Sequence, residues 1–350
     1  MQRLGIVGAG LLGRLLAWRL GQLGHAVTVF DPAAGPTDQN HAAGWTAAGM
    51  LSPWAELECA DQAISQLGLR SLPLWAALLP QLPQPVYFQQ RGSLLLAHQS
   101  DLGAAQRLID LLRAKMPNGL VPTPLDAAGL QALEPAVHGP SHAWLLPDEG
   151  QIHTVQAMQA LAAAADALGV QWRWGSLVRD LVPGRIDAER FDHVFDVRGV
   201  GASGAVAAPL AGLRGERGEL LWLHAPGLVL RRPLRLIHPR WRVYLVPRPD
   251  DVVVVGASEI ESADRAPISV RTLLGLLSAA HSVLPELSEA SLLHTATNLR
   301  PALFDHLPQI SQQAGLTIIN GLFRHGWLIA PALVEDALQQ IGLLPSPLEN

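Results

Sequence analysis

The first 31 residues alternate between short apolar runs and glycine-rich turns. Residues 3–7 form an apolar run that predicts a buried strand, and residues 26–30 form a second one. Between them, residues 15–20 have the apolar pattern of a helix. The chain therefore opens with a strand, a helix and a strand, the unit that joins parallel strands of a sheet.

A glycine motif, GAGLLG from Gly8 to Gly13, connects the first strand to the helix. Gly8 permits a tight turn, Gly10 lets a diphosphate approach the backbone, and Gly13 lets the helix pack closely on the strand. The phosphates would meet free N–H groups at the helix N-terminus. These features are typical of a dinucleotide-binding loop.

Asp31 ends the second strand, 18 residues after Gly13, where its carboxylate can accept hydrogen bonds from a ribose diol. The alternative is an ordinary α/β protein in which the glycines only form turns and Asp31 only ends a strand. The combination of strand, spacing, helix and acid favours dinucleotide binding. It does not separate FAD from NAD.

Two further segments bear on the cofactor. Small residues dominate positions 45–53, so a helix start there would pack either against a flat ring system or against the sheet. The pattern near the C-terminal end predicts a strand at residues 317–320 and a loop at residues 321–327. It then predicts a helix at residues 329–338, with Pro331 in its first turn. The positive end of that helix would stabilise the negative charge that a flavin gains on reduction, so this segment favours a flavin over a nicotinamide.

Taken together, these stretches make the chain resemble the D-amino-acid-oxidase superfamily of flavoproteins, and within it the bacterial glycine oxidases of thiamine biosynthesis. The shared stretches follow the family order from end to end. They are residues 8–13, 47–51, 244–248 with 253–257, 298–301 and 323–331.

The resemblance implies an α/β fold with a Rossmann-like FAD-binding domain of the glutathione-reductase type and a second, sheet-containing substrate domain. The FAD domain would comprise residues 1–81, 149–212 and 297–350, and the substrate domain residues 82–148 and 213–296. The hydrophobic pattern places a helix at 155–168 and strands at 170–174 and 191–197. It also predicts a hairpin with strands 242–248 and 252–258 around a turn at 249–251.

The resemblance further implies non-covalently bound FAD. Arg198 is an unexpected charge in the family's cofactor turn, and a phosphate, Asp196 and solvent all remain open as its surroundings. Leu322 stands where relatives often carry histidine. The residues expected to contact FAD are Gly8, Gly10, Leu11, Leu12, Gly13, Asp31, Pro32, Ala43, Gly44, Ala48, Gly49, Met50, Val178, Gly199, Leu322, Phe323, Arg324, His325, Gly326, Trp327 and Leu328.

Oxidation of an amino acid at a flavin requires above all that the substrate be positioned, for which a bidentate arginine clamp on its carboxylate is best suited. Arg300, followed by the rigid Pro301, matches the family's carboxylate-binding arginine. Tyr244 begins a strand that lines the site in relatives, and its hydroxyl could add a hydrogen bond. Arg324 matches a loop residue that contacts substrate and flavin. The alternatives are a surface arginine, a buried structural tyrosine and an arginine that only fixes its loop.

Composition limits the other classes of function. Hydrophobic residues make up 49% and charged residues 16%, and the mild net charge of −5 without a basic run argues against nucleic acid. The single cysteine, Cys59, permits no internal disulfide and is more typical of a buried apolar residue than of a nucleophile. It also lies outside the segment that carries flavin covalently in sarcosine oxidases.

We expect a cytoplasmic protein without a membrane span. Whether the protein forms a homo-oligomer is left open.

Metal chemistry is not expected, because the 13 histidines show no ligand spacing. His294, His306 and His325 are predicted to be polar fillers near the site.

The leading hypothesis is an FAD-dependent oxidase of glycine or a small amine or D-amino acid, with dioxygen as acceptor. Its alternatives are a D-amino-acid dehydrogenase that passes electrons to a quinone or other carrier, a nicotinamide dehydrogenase, and a degenerate flavoprotein that only binds a partner.

Overall fold

The computed structural model describes residues 1–58, 60–116, 121–203, 212–238 and 242–345, so Cys59 lies outside the described residues. Helices and strands alternate over most of these ranges. The α-helices are α1 (Leu11–Gln22), α2 (Gln62–Leu78), α3 (Leu102–Lys115), α4 (Ala127–Leu133), α5 (Thr154–Ala167), α6 (Val270–His281) and α7 (Gly326–Gln340).

A six-stranded sheet contains the first and the last strand of the described chain. Its order is β19 (Gln309–Gln313), β20 (Leu316–Asn320), β13 (His193–Asp196), β1 (Arg3–Val7), β2 (Ala26–Asp31) and β9 (Gln171–Trp174). All neighbours pair in parallel except β19, which is antiparallel to β20. Helices α1, α5 and α7 contribute buried side chains to the core on this sheet, as a parallel sheet requires.

An eight-stranded sheet forms the second layer and is antiparallel except for the pairing of β5 with β15. Helix α6 covers one of its faces and shares an apolar core with it. The order is β18 (Ser291–Ala302), β14 (Arg214–His224), β17 (Val252–Gly256), β16 (Arg242–Arg248), β15 (Leu234–Ile237), β5 (Ser93–Ala97), β7 (His142–Leu146) and β6 (Thr123–Leu125).

Two small sheets complete the architecture. One has the order β3 (Met50–Leu51), β8 (Gly150–Ile152) and β4 (Phe88–Gln89). The other has the order β10 (Leu181–Val182), β11 (Arg185–Ile186) and β12 (Glu189–Arg190). The predicted α/β class is confirmed, and, apart from the helix start expected within residues 45–53, the predicted strands, helices and hairpin are found with ends that differ by at most a few residues. The domain boundaries remain a prediction.

Two details of the sequence interpretation were wrong. No α-helix begins in residues 45–53; Ala43–Trp45 form a short 3₁₀ turn and the chain then enters β3, which pairs with β8. Helix α7 starts three residues earlier than predicted, so Pro331 lies inside it rather than in its first turn. The proline leaves the carbonyl of Trp327 without a helical donor, and the indole N–H of Trp75 donates to that carbonyl at 2.9 Å. This outside partner lets the helix tolerate the proline.

Within the described ranges, no helix is both long and apolar enough to cross a membrane.

Candidate active site

A cleft of about 840 Å³ lies between the carboxyl ends of the parallel strands and the eight-stranded sheet. Strand ends such as Val7 and Asp31 line one side, and Tyr244 and Arg300 line the other. Open α/β sheets bind ligands at the carboxyl ends of their strands, so the position of the cleft agrees with that rule.

The glycine motif forms one end of the cleft. Gly8 has φ +110°, and a Cβ there would stand 2.7 Å from the carbonyl oxygen of Val197. A Cβ on Gly13 would clash with the carbonyl group of Gly8, so helix α1 packs against the loop only because residue 13 is glycine. At Gly10, by contrast, the nearest atom to such a Cβ is Ala42 Cβ at 3.6 Å, which leaves this backbone open to a phosphate.

Asp31 lies beside the same loop, at the end of β2. Its carboxylate accepts hydrogen bonds from the N–H of Ala9 at 2.5 Å and of Ala33 at 2.8 Å. These bonds fix the side chain at the wall of the cleft, where a ribose would follow the diphosphate. The loop and the acid therefore fit the adenosine half of a dinucleotide.

Arg198 forms a structural ion pair at this end of the cleft. Its Nη2 lies 2.6 Å from Oδ2 of the buried Asp196, and its Nε donates to Oδ1 at 2.9 Å. Of the three surroundings left open by the sequence, the structure thus places Asp196 next to Arg198. The guanidinium group also lines the cleft.

The small residues of the 45–53 segment line the middle of the cleft. Gly49 has φ +70°, and a Cβ there would stand 2.8 Å from Thr154 Cγ2, so only glycine fits. Behind the loop, the buried Arg248 donates to the carbonyl of Ala48 and, at 3.1 Å, to Gln151 Oε1. Burial lowers the pKa of Arg248 to about 9.

The C-terminal loop closes the other end of the cleft. The N–H of Phe323 donates to Pro301 O at 2.8 Å, which ties the loop to β18. The indole N–H of Trp327 donates to Gly44 O at 3.0 Å, and its ring stacks on Trp75 with centroids 5.5 Å apart. Helix α7 begins at Gly326 in the wall of the cleft, so its positive end faces the space in which a flavin ring is predicted.

The structure brings most of the predicted cofactor residues to this one cleft. Three of them do not line it: Gly13 packs α1 against Gly8, His325 points to Glu56, and Leu328 is a core residue packed on Gly68. The residues that line it are Gly8, Gly10, Leu11, Leu12, Asp31, Pro32, Ala43, Gly44, Ala48, Gly49, Met50, Val178, Gly199, Leu322, Phe323, Arg324, Gly326 and Trp327.

Arg300 reaches into the cleft from β18 across the neighbouring strand β14. Its Nη1 and Nη2 donate to the carbonyls of Arg217 at 3.3 Å and Ser258 at 3.0 Å. The guanidinium group lies over Gly218, where a Cβ would stand 2.5 Å from Cζ. Among the described residues, no carboxylate lies within ion-pair distance of Arg300, so its charge is available to a ligand in the cleft.

Tyr244 reaches the same region from β16 across β17. Its ring lies over Gly256, its direct partner in the β16–β17 register, and a Cβ on that glycine would stand 2.6 Å from Cε2 of the tyrosine. Burial raises the pKa of the Tyr244 hydroxyl, against the opposing effect of Arg300, Arg235 and Arg324. The hydroxyl is therefore a neutral donor at physiological pH.

Arg324 is held by carboxylates on two sides. Its Nε and Nη2 lie 3.0 and 2.9 Å from Oε2 of Glu56, and its Nη1 lies 3.1 Å from Oε2 of Glu259. Glu56 is buried and also pairs with Arg235 at 2.7 Å, and its Oε2 lies 3.1 Å from Nδ1 of His325. Glu56 thus connects the C-terminal loop with the eight-stranded sheet.

The charges around Glu56 control its ionisation. Burial alone would raise the pKa of this carboxyl, but Arg324 and Arg235 hold it well below its usual range. Glu56 is therefore ionised at neutral pH, and Arg235, directly opposite Tyr244 in the β15–β16 register, has a buried counter-charge.

The sequence interpretation missed Glu56, Arg235, Arg242 and Glu259 as site residues. Glu56 follows the small-residue segment and Arg235 interrupts an apolar strand, so each gave only a weak local signal. The three histidines predicted near the site contact aromatic rings or Glu56: His294 stacks on Trp222 and His306 on Phe323.

The chain is similar in sequence and in structure to known proteins. A thiamine biosynthesis oxidoreductase, ThiO, of Rhizobium etli is 35% identical over 340 residues, covering 97% of this chain and 96% of that protein. The glycine oxidase of Geobacillus kaustophilus is 25% identical over 365 residues, covering 96% of this chain and 92% of that protein. The crystal structure of iminodiacetate oxidase (IdaA) from Chelativorans sp. BNC1 has a TM-score of 0.83 at 23% identity, covering 99% and 98% of the two chains.

The family match spans both large sheets and the cleft between them. Residues 3–337 match the family described as FAD dependent oxidoreductase (DAO). The cofactor of such a family fits the residues present, because the cleft runs from an open glycine loop with an adjacent acid to the positive end of a helix. The chain therefore belongs to the DAO family of FAD-dependent oxidoreductases.

Proposed function

We propose that this protein oxidises glycine or another small amine or D-amino acid, giving an imine that water hydrolyses to a 2-oxo acid and ammonia, with dioxygen as the electron acceptor. The single observation that carries the proposal is the position of Arg300. Its guanidinium group faces a cleft suited to FAD and has no carboxylate partner among the described residues. A substrate carboxylate would supply that partner through a charge-assisted contact.

Tyr244 is proposed to complete the carboxylate site. Its hydroxyl stays protonated because burial raises its pKa, so it donates a hydrogen bond to one carboxylate oxygen. Glycines at 218 and 256 leave room for both side chains to lie flat across neighbouring strands. A substrate held between them is fixed at one end, and its amine and Cα project into the rest of the cleft.

The C-terminal loop is proposed to hold the ring that receives the electrons. When bound, FAD would supply the acceptor for a hydride from the substrate Cα and the route by which both electrons reach dioxygen, with hydrogen peroxide as the product. The ion pairs of Arg324 with Glu56 fix the loop, and the positive end of α7 stabilises negative charge beside it. These residues orient and stabilise, and we assign none of them a role as a base.

The relatives support this choice of substrate. By name, one relative is a glycine oxidase and a neighbouring structure is an iminodiacetate oxidase, and both names describe amines that carry a carboxylate. The family supports FAD rather than the nicotinamide alternative. We also propose the FAD and substrate domain boundaries given above, non-covalent attachment of FAD and a place in thiamine biosynthesis, the last because of the ThiO relative.

A peroxide-coupled assay with glycine, sarcosine and small D-amino acids tests the proposal. If the protein is an oxidase, we expect it to consume oxygen and to form one hydrogen peroxide for each dioxygen consumed. A D-amino-acid dehydrogenase, the second candidate, would reduce a quinone or dye but consume little oxygen. A protein that keeps its flavin oxidised with every amine would be a degenerate flavoprotein, and the proposal would be wrong.

A further inference from the structure

A second cavity of about 320 Å³ adjoins the cleft. Arg242, Glu259, Phe323 and Arg324 line both spaces and so form the wall between them. Three of these four residues are charged. The wall is therefore an ion-pair cluster rather than a packed apolar partition.

Glu259 holds this wall together through one oxygen atom. Its Oε2 lies 3.3 Å from Nη1 of Arg242 and 3.1 Å from Nη1 of Arg324. The Glu259 side chain is 38% exposed, whereas that of Arg324 is 13% exposed. Glu259 can therefore swing into water at little desolvation cost, while Arg324 keeps its buried partner Glu56.

Arg242 lies on the same strand as Tyr244, two residues earlier. Side chains two apart on a strand project from the same face, so both point toward the cleft. The Arg242 side chain is 43% exposed and lines both cavities. The strand thus carries a second cation beyond the carboxylate site proposed for Arg300 and Tyr244.

The acids of the second cavity do not compete for these arginines. Asp61 and Asp305 also line it, but each accepts a hydrogen bond from a backbone N–H two residues later, Ala63 at 2.8 Å and Leu307 at 3.0 Å. In the wall, Glu259 is the carboxylate that bridges the two arginines.

We propose that Arg242 and Arg324 form a second anion subsite, occupied by Glu259 in the free protein, that binds a second carboxylate of the substrate. The substrate class would be an amino acid or secondary amine with two carboxylates, one on Arg300 and Tyr244 and the other displacing Glu259. This inference rests on the proposed function, since it assumes that Arg300 binds the first carboxylate.

Binding of two ether analogues that cannot be oxidised as amines tests the subsite. Oxydiacetate and methoxyacetate differ by one carboxylate, and their Kd values can be measured from the perturbation of the flavin spectrum in the holoprotein. We expect wild-type protein to bind oxydiacetate about tenfold more tightly or better. In Arg242→Gln the ratio of the two Kd values should fall to near one, and in Glu259→Gln it should rise because the internal competitor is gone.

Arg173→Gln is the matched control, because this exposed arginine lies on β9 away from both cavities, and it should leave the ratio unchanged. Equal affinities in wild type, or a preference that survives in Arg242→Gln, would overturn the proposal. If Arg242→Gln loses its flavin, the Glu259→Gln variant provides the test. A ratio of the two Kd values that does not rise in Glu259→Gln would reject the subsite. Turnover of glycine and sarcosine on the same preparations separates the two claims: oxidation without a diacid preference rejects only the subsite, and no flavin reduction by any amine rejects the proposed function.

Discussion

The guanidinium group of Arg300 lies over Gly218, and a Cβ built on this glycine would stand 2.5 Å from Cζ of the arginine. The two residues belong to neighbouring strands, β18 and β14. Because residue 218 lacks a side chain, Arg300 can cross its neighbour and reach the carbonyl of Ser258. A single glycine thus determines where the proposed carboxylate clamp stands.

Gly218→Ala should displace Arg300 while leaving the fold intact. Gly218 does not have a positive φ, so alanine is acceptable to the backbone, but its methyl group would occupy the place of the guanidinium. We expect kcat/KM for glycine to fall about 10- to 100-fold, as for other displacements of about 1 Å in active sites. Gly103→Ala, on the exposed side of α3, is the control and should leave kcat/KM unchanged. Equal kinetics in the two variants would show that Arg300 is not the clamp.

Arg300→Leu removes the charge itself. A charge-assisted bidentate contact is worth about 2–4 kcal/mol, so kcat/KM should fall about 30- to 1000-fold, mostly through KM. The flavin content should stay that of wild type, because Arg300 contacts the substrate side of the cleft. Steady-state kinetics with a flavin spectrum check both statements, and an unchanged KM would remove Arg300 from the site.

Tyr244→Phe keeps the ring over Gly256 and removes only the hydroxyl. One hydrogen bond contributes about 1 kcal/mol, so KM for glycine should rise about fivefold while Tm stays unchanged. A large fall in Tm with an unchanged KM would make Tyr244 a structural residue instead. Thermal unfolding and initial rates on the same preparation distinguish the two results.

Glu56→Gln tests the buried ion-pair network. Because the pKa of Glu56 is depressed in the folded protein, its contribution to stability is complete above its ordinary value of 4.5 and is lost as pH falls toward the folded value. At neutral pH we expect the variant to lose about 3–5 kcal/mol of unfolding free energy, since Arg235 and Arg324 both lose this ion-pair partner, although Arg324 keeps its pair with Glu259.

Urea unfolding at a series of pH values measures the difference in unfolding free energy between wild type and Glu56→Gln, hereafter the gap. The gap should be constant near neutrality and should narrow below pH 4.5. Glu289→Gln, an exposed matched change, should show almost no gap at any pH. A gap that keeps its size into the acid range would mean that the Glu56 charge does not stabilise the fold.

Local sequence signals identified most of the residues that line the part of the cleft proposed to hold the cofactor. The glycine motif, Asp31 and the C-terminal strand, loop and helix lie within short segments, so spacing alone places their residues at strand ends. The segment 45–53 shows the limit of such signals. Its small residues are compatible with a helix start, but the pairing of β3 with β8 determines the local structure. That pairing joins segments about a hundred residues apart in sequence.

The substrate half depends on contacts that sequence spacing does not reveal. Glu56 meets Arg235 and Arg324 across 179 and 268 residues of chain. The glycines under Arg300 and Tyr244 gain their meaning only from the strand register. The resemblance to a family supplied Arg300 and Tyr244, but it did not reveal the ion pairs that hold the wall of the site.

The most direct test of the central claim is anaerobic mixing of the purified holoprotein with glycine, sarcosine and small D-amino acids while the visible flavin spectrum is recorded. We predict that at least one of these amines bleaches the flavin, that air restores the colour with formation of peroxide, and that Arg300→Leu bleaches only at far higher amine concentration. A wild-type flavin that stays oxidised with every one of them would contradict the account.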